Sequence, residues 1–206
     1  METNLIVAGV GGQGSILASH IIAEAAILSK KDGERLNVRV GETFGAAQRG
    51  GAVASHVRIG ADVEGPLVGH GRADVILALE PLEGLRVGVP YLAPGGVAIL
   101  NTVPQQPVDV KIGAVEYPEM EAITGALGKI GRAVVAFDGS QLAAEAGSAK
   151  ALSVVMLGAL TASGALPYGE ETMLEAIKNR VPAKLLEVNL NAFALGKKAY
   201  QEACQS

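Results

Sequence analysis

Two glycine-rich segments near the amino end hold the residue types and spacings that could bind a ligand. The first is Gly9-Val10-Gly11-Gly12-Gln13-Gly14, which ends an apolar run beginning at Asn4. Gly9, Gly11 and Gly14 have GxGxxG spacing, and Gly12 adds a fourth glycine. A strand that ends this way and opens a helix presents free backbone N–H groups to an anion. Without a Cβ, the backbone admits a phosphate or carboxylate closely. The residues alone leave three readings open: a tight turn whose glycines serve packing, an anion or cofactor site, and an NAD site. A dinucleotide site wants an acid at the end of the second strand, about 20 residues on. That strand ends Arg39-Val40-Gly41-Glu42, and Glu42 lies far along, at the start of a polar loop, which disfavours NAD. Gln13 is an amide within the turn, free to donate to a ligand or to face water.

The second segment is Gln48-Arg49-Gly50-Gly51. A guanidinium is a planar fork that grips carboxylates and phosphates through two parallel bonds. Gly50 and Gly51 let the chain turn steeply beside it. Arg49 therefore reads as an anchor for an anionic ligand or a partner, or else as a solvated turn residue paired with Glu42 or Glu80. The candidate binding residues are Gly9, Gly11, Gly12, Gln13, Gly14, Arg49, Gly50 and Gly51, with no catalytic residue among them. His56 lies on an alternating strand and reads as structural. No HxH, HExxH or Cys/His spacing marks a metal site, and no GxSxG marks a nucleophile elbow. Glu80 ends an apolar strand at the edge where ligands gather in open α/β sheets, and it also suits a helix cap.

The elements that must position these groups follow from periodicity. Asn4 to Gly9 predicts a buried strand, Ser15 to Ser29 a helix, Leu36 to Val40 a second strand, and Ala52 to Ile59 an alternating third. Gly45, Gly50 and Gly51 interrupt the stretch between the second and third strands, so no crossover helix fits there. Parallel neighbours need a crossover of a dozen or more residues, so the third strand is expected to run antiparallel to the second. Strands are expected at Asp74 to Glu80, Val97 to Asn101 and Ala133 to Phe137. Helices are expected at Pro81 to Leu92, Tyr117 to Leu127 and Gly139 to Ala146. From Lys150 onward only helices are expected: Ala151 to Leu166, Glu170 to Arg180 and Ala183 to Tyr200. Residues 1–206 form one α/β domain, a mixed but mostly parallel Rossmann-like sheet flanked by helices, with a helical C-terminal tail.

Bulk composition narrows the function classes. Hydrophobic residues make up 49% of the 206 and charged ones 18%, so the chain is globular. Aromatics are 3% with no Trp, so Ala, Val, Ile and Leu must build the core. A net charge of −4 argues against a nucleic-acid partner. No run approaches the roughly 18–20 apolar residues of a membrane span. No signal segment opens the chain, so a cytoplasmic location is expected. The single cysteine, Cys204, cannot form an internal disulfide, a CxxC pair or a cluster site.

Four stretches in family order resemble the gamma-type domain of 2-oxoacid:ferredoxin oxidoreductases: GVGGQG at 9–14, ETFGAAQRGGAVASHVRIG at 42–60, ADVILALEPLEGLR at 73–86 and LGAL at 157–160. The AAQRGG form is similar to the indolepyruvate branch. Ser153 is a departure, standing where relatives carry Asn near the start of the LGAL helix. The resemblance implies a subunit of an enzyme that oxidatively decarboxylates a 2-oxoacid to an acyl-coenzyme A. It implies that thiamine diphosphate and iron–sulfur clusters sit in a large alpha subunit and that electrons pass through the complex to ferredoxin. This chain has neither a GDG…NN thiamine diphosphate signature nor CxxCxxC, so it is expected to bind none of these cofactors alone and to be inactive alone. Its contribution is then an interface, a wall of the active site, or a surface for the coenzyme A phosphates. In isolation it is expected to self-associate or to expose a partner surface including the Thr43 to Gly51 loop. The contrasting expectation is a stand-alone nucleotide- or anion-binding regulatory protein on the same fold.

Overall fold

The computed structural model describes residues 2–31, 34–45, 50–106, 110, 112–113 and 116–205, with 30–31 and 34–35 as backbone alone. Its centre is a six-stranded sheet in the order β4-β5-β1-β6-β7-β8. These strands are β1 (Thr3–Val10), β4 (Asn37–Phe44), β5 (Ala52–Gly60), β6 (Ala73–Ala78), β7 (Leu92–Asn101) and β8 (Ala133–Phe137). A small ribbon, β2 (Lys30–Lys31) with β3 (Glu34–Arg35), stands apart. Strands β1, β6, β7 and β8 are parallel neighbours, whereas β5 runs antiparallel to both β1 and β4. The mixed sheet and the antiparallel third strand expected from the missing crossover are both present.

Alternation along the central strands assigns their faces. Leu5, Val7, Val75, Leu77, Val97 and Ile99 enter one core, and Ile6, Ile76, Ala78, Ala98 and Leu100 enter the other. The first core is covered by α1 (Ser15–Leu28), α4 (Gly139–Glu145), α5 (Leu152–Ala162), α6 (Glu170–Arg180) and α7 (Leu186–Ala203). The second is covered by α2 (Pro81–Tyr91) and α3 (Met120–Gly128), with Ile123 and Leu127 buried against it. Burial on both faces explains why these strands read as unbroken apolar runs. Among the described residues, no helix is long and apolar enough to cross a membrane.

Several boundaries differ from expectation: the strand expected from Val97 already begins at Leu92, and the last helix, expected over Ala183 to Tyr200, runs Leu186–Ala203 after a 3₁₀ turn. The second strand continues through Gly41 to Phe44, because those residues pair with His56 to Val53 across the hairpin, a long-range contact that periodicity does not carry. The helix expected from Tyr117 starts at Met120. Pro118 disfavours helical backbone at Tyr117, and Glu119 is still extended. The buried helix expected to reach Leu166 ends at Ala162, just before Gly164 turns into the left-handed region at φ 67°.

Small residues set the distances between helices. Helices α5 and α7 pack closely at Gly158 and Gly196. A Cβ on Gly158 would lie 2.1 Å from the Phe193 carbonyl oxygen, and one on Gly196 1.8 Å from that of Val155. Gly196→Ala is therefore expected to destabilise the chain by about 1–3 kcal/mol through overpacking. Gly125→Ala, in α3 with nothing within 4 Å of the new methyl, is expected to stabilise it by about 0.5–1 kcal/mol. Urea titration of the two variants beside the parent checks the opposite signs.

His56 is a structural histidine. It is buried on β5, its Nδ1 accepts from the Val68 N–H at 3.2 Å, and its ring meets Tyr91 edge to face at 5.3 Å. Burial lowers its pKa below 6.5. Below that pH the unfolded chain binds a proton that the folded chain resists, so stability falls as pH drops. The thermal midpoint is expected to be lower at pH 5.5 than at pH 7.5. His56→Gln, which cannot titrate, should flatten that part of the slope when melts are followed by circular dichroism.

Candidate functional site

The glycine turn joins β1 to α1 at the carboxyl edge of the sheet. Gly12 and Gly14 adopt φ 106° and 90°, a left-handed backbone that only glycine takes without strain. The four glycines play different parts. A Cβ on Gly9 would stand 2.8 Å from Gln13 Oε1 and 2.9 Å from Ser15 Oγ, so Gly9 serves close packing. The Gly11 N–H donates to the Gly51 carbonyl at 2.9 Å, and the Gln13 N–H to that of Val10 at 3.1 Å. The N–H groups of Gly12 and Gly14 are left without a backbone acceptor among the described residues. Gly12 faces open space, with nothing within 4 Å of where a Cβ would be.

The Gly11–Gly51 bond brings the second glycine segment to the same edge. The hairpin between β4 and β5 is pinned by the Gly45 N–H donating to the Ala52 carbonyl at 2.8 Å, and Gly50 turns at φ 73°. Gly9, Gly11, Gly12, Gln13, Gly14, Gly50 and Gly51 are thus neighbours. Arg49 and Gln48 lie outside the described residues. Of the two carboxylates weighed as partners for Arg49, Glu42 sits 3.5 Å from His20 Nε2, and Glu80 is buried.

Gln13 is committed to the fold rather than free. Its Oε1 accepts from the Val10 N–H at 2.8 Å, and its Nε2 donates to the Leu79 carbonyl at 3.1 Å. The same carbonyl accepts from Asn101 Nδ2 at 3.0 Å, and Asn101 Oδ1 accepts from the Gly139 N–H at 3.0 Å. Two amides therefore tie together the ends of β1, β6 and β7 and the start of α4. Glu80 caps α2, its carboxylate accepting from the Glu83 N–H at 2.8 Å and from the Tyr117 hydroxyl. Burial pushes the Glu80 carboxyl up, while those hydrogen bonds pull it back. Burial, with the Glu80 carboxylate alongside, drives the Tyr117 hydroxyl strongly upward, so it stays protonated and donates. Of the two roles open to Glu80, the structure gives it the cap.

What remains unsatisfied at the turn is cationic in character. No side chain caps the N-terminus of α1, and its first turn contains no acid. The positive end of the helix dipole is therefore uncompensated. The hydroxyls of Ser15 and Ser153 are buried and lack a hydrogen-bond partner among the described residues. A Cβ on Gly14 would lie 2.9 Å from Ser153 Oγ, so Ser153 backs the turn directly. Two hollows meet at Gly12. One, of about 230 Å³, is lined by Gly11, Gly14, Ser15, Ile16 and Val53. The other, of about 350 Å³, is lined by Gln13, Gln105, Ser140 and Lys150. Lys150 and Ser15 were not singled out from the sequence. Lys150 lies far along the chain, and nothing in its local pattern ties it to the turn.

The chain matches the family described as pyruvate ferredoxin/flavodoxin oxidoreductase over residues 4–199. It is 41% identical to the indolepyruvate oxidoreductase subunit IorB of Thermococcus kodakarensis, over 98% of this chain and 97% of that protein. It is 43% identical to the subunit of the same name from Archaeoglobus fulgidus, over 95% and 94% of the two chains. Among solved structures, the keto/oxoacid ferredoxin oxidoreductase gamma subunit from Geobacter sulfurreducens superposes with a TM-score of 0.67 at 28% identity, covering 97% of this chain and 99% of that one. A 2-oxoglutarate:ferredoxin oxidoreductase from Magnetococcus marinus shares the fold at 23% identity and a TM-score of 0.69, over 98% of this chain and 31% of its own. With near-full-length agreement in sequence and in topology, the chain belongs to the pyruvate ferredoxin/flavodoxin oxidoreductase family.

Proposed function

We infer that the chain is the gamma-type subunit of an indolepyruvate:ferredoxin oxidoreductase, and that its glycine turn holds the phosphates of coenzyme A at the interface with a large alpha subunit. The observation that carries the assignment is identity of about two residues in five, over nearly whole lengths, to subunits named for indolepyruvate. Thiamine diphosphate, which supplies the decarboxylation chemistry, and the iron–sulfur clusters that pass electrons to ferredoxin belong to that partner in the cytoplasm. A single cysteine in this chain cannot ligate a cluster. The related Magnetococcus enzyme was solved with coenzyme A and succinyl-CoA bound.

The phosphate reading is supported by chemistry at the turn. The N–H groups of Gly12 and Gly14, without a backbone acceptor among the described residues, lie beside the uncapped end of α1. The Ser15 and Ser153 hydroxyls need acceptors, and a phosphate oxygen is one. Ser153 then does the work of a donor behind the turn. Lys150 supplies positive charge from the far wall, and Arg49, next to Gly50 in sequence, would supply a second cation. In this reading the chain binds and orients coenzyme A while its partner carries out the decarboxylation.

Co-expression with the large subunit and an assay of 2-oxoacid-dependent dye reduction tests the reading. Lys150→Ala and Arg49→Ala are each expected to weaken coenzyme A about ten- to a hundred-fold, the loss of roughly 1.5–3 kcal/mol for a charge-assisted contact. The apparent constant for the 2-oxoacid should move far less. If Arg49 instead holds the partner, its variant will dissociate on gel filtration while the residual complex keeps normal coenzyme A affinity. Unchanged constants for both substrates in both variants would remove the phosphate role.

A further inference from the structure

A third hollow, of about 680 Å³, adjoins the glycine turn, and its walls are apolar with a cationic rim. It lies between the start of α1, the 3₁₀ turn Ala149–Ala151, the end of α6 and the 3₁₀ turn Ala183–Leu185. Leu17 and Leu185, 39% and 42% exposed, stand in its walls. Lys150, Arg180 and Lys184 line it, and no carboxylate does. Arg180 is paired with Glu24, whereas Lys150 and Lys184 have no carboxylate partner among the described residues.

The hollow is one end of a longer strip. Lys150 also lines the hollow beside Gly12. Ile16, 38% exposed and adjacent to Leu17, lines the hollow on the other side of the turn together with Val53. Val53 is the cross-strand partner of Phe44, which is 62% exposed. Ile16, Leu17 and Leu185 thus line adjoining hollows on either side of the glycine turn, and exposed Phe44 extends this apolar strip across the strand pair from Val53. Other large exposed apolar side chains, such as Leu67 and Val89, line none of these three hollows. Contiguous apolar surface of this kind marks an interface, whereas scattered single residues do not.

We propose that the strip from Phe44 through Leu17 to Leu185 is the docking surface for the large subunit, through a segment that presents apolar side chains flanked by carboxylates. The proposal rests on the subunit reading above. The apolar walls need apolar side chains, and the unpaired Lys150 and Lys184 need carboxylates. A partner seated there also closes the glycine turn from water, which strengthens each contact to a bound anion.

The test is reconstitution of the complex from the full-length chain and the large subunit, read by gel filtration and by titration of a labelled chain. The double variant Leu17→Asp/Leu185→Asp is expected to weaken assembly at least tenfold, while the melting point of the isolated chain stays within a few degrees of the parent. Lys184→Glu, which leaves the glycine turn untouched, is expected to weaken assembly as well, and more so at low salt. Leu67→Asp and Val89→Asp should assemble as the parent does. Normal assembly of the double variant with normal coenzyme A dependence would overturn the surface and leave the subunit reading standing. Equal losses in the Leu67 and Val89 variants would also overturn the surface. Failure of the parent chain itself to assemble would overturn the subunit reading, and the surface with it.

Discussion

The Leu79 carbonyl is the point on which the site depends. It is the last backbone acceptor of the β6 run, and its own N–H donates to the Ala8 carbonyl at 2.8 Å. Gln13 and Asn101 both donate to it, one from the glycine turn and one from the end of β7. A turn of four glycines has little stiffness of its own, since glycine loses the most conformational freedom on folding. The shared acceptor supplies that stiffness from outside. With Gln13 bonded at both ends of its amide, the backbone of Gly12 to Gly14 is held in place by the fold itself.

The antiparallel strand β5 is the second determinant. In a fully parallel sheet, every loop at the carboxyl edge is followed by a helix. Here the β4–β5 hairpin delivers Gly50 and Gly51 to that edge with no helix of their own, and the Gly11–Gly51 bond fixes where they arrive. One wall of the site comes from a strand-to-helix turn and the other from a hairpin, and two chain reversals therefore face each other across a small hollow.

The layout of the sheet was readable because its cause is local. Apolar runs ending in glycine, and a gap too glycine-rich for a helix, determine strand direction before any contact is known. The two glycine segments were readable for the same reason, as each is contiguous in sequence. What was not readable depends on contacts between distant residues. Gln13 looks free in sequence and is tied to Val10 and Leu79. Glu80 has the same composition as a ligand or a cap, and only its bonds to Glu83 and Tyr117 decide the matter. Lys150 meets the turn only because α5 packs under α1, and the unmet hydroxyls of Ser15 and Ser153 emerge only once their surroundings are dry. Long-range packing, not residue type, separates these cases.

Helix α1, whose N-terminus faces the glycine turn, is covered by residues more than 140 positions further along the chain. The Tyr168 hydroxyl donates to the Ile22 carbonyl across a separation of 146 residues, and Arg180 pairs with Glu24 on the same helix. Met173, Ala176 and Ile177 of α6 share a core with Ile21, Ile22 and Ala25 of α1. During synthesis from the amino end, the sheet strands emerge first and α1 waits with its apolar face uncovered. Contacts of such long separation form slowly, and a half-covered helix is a target for chaperones and for aggregation. The glycine turn is therefore among the first parts of the chain translated, yet the helix that follows it is covered only once α6 has been made.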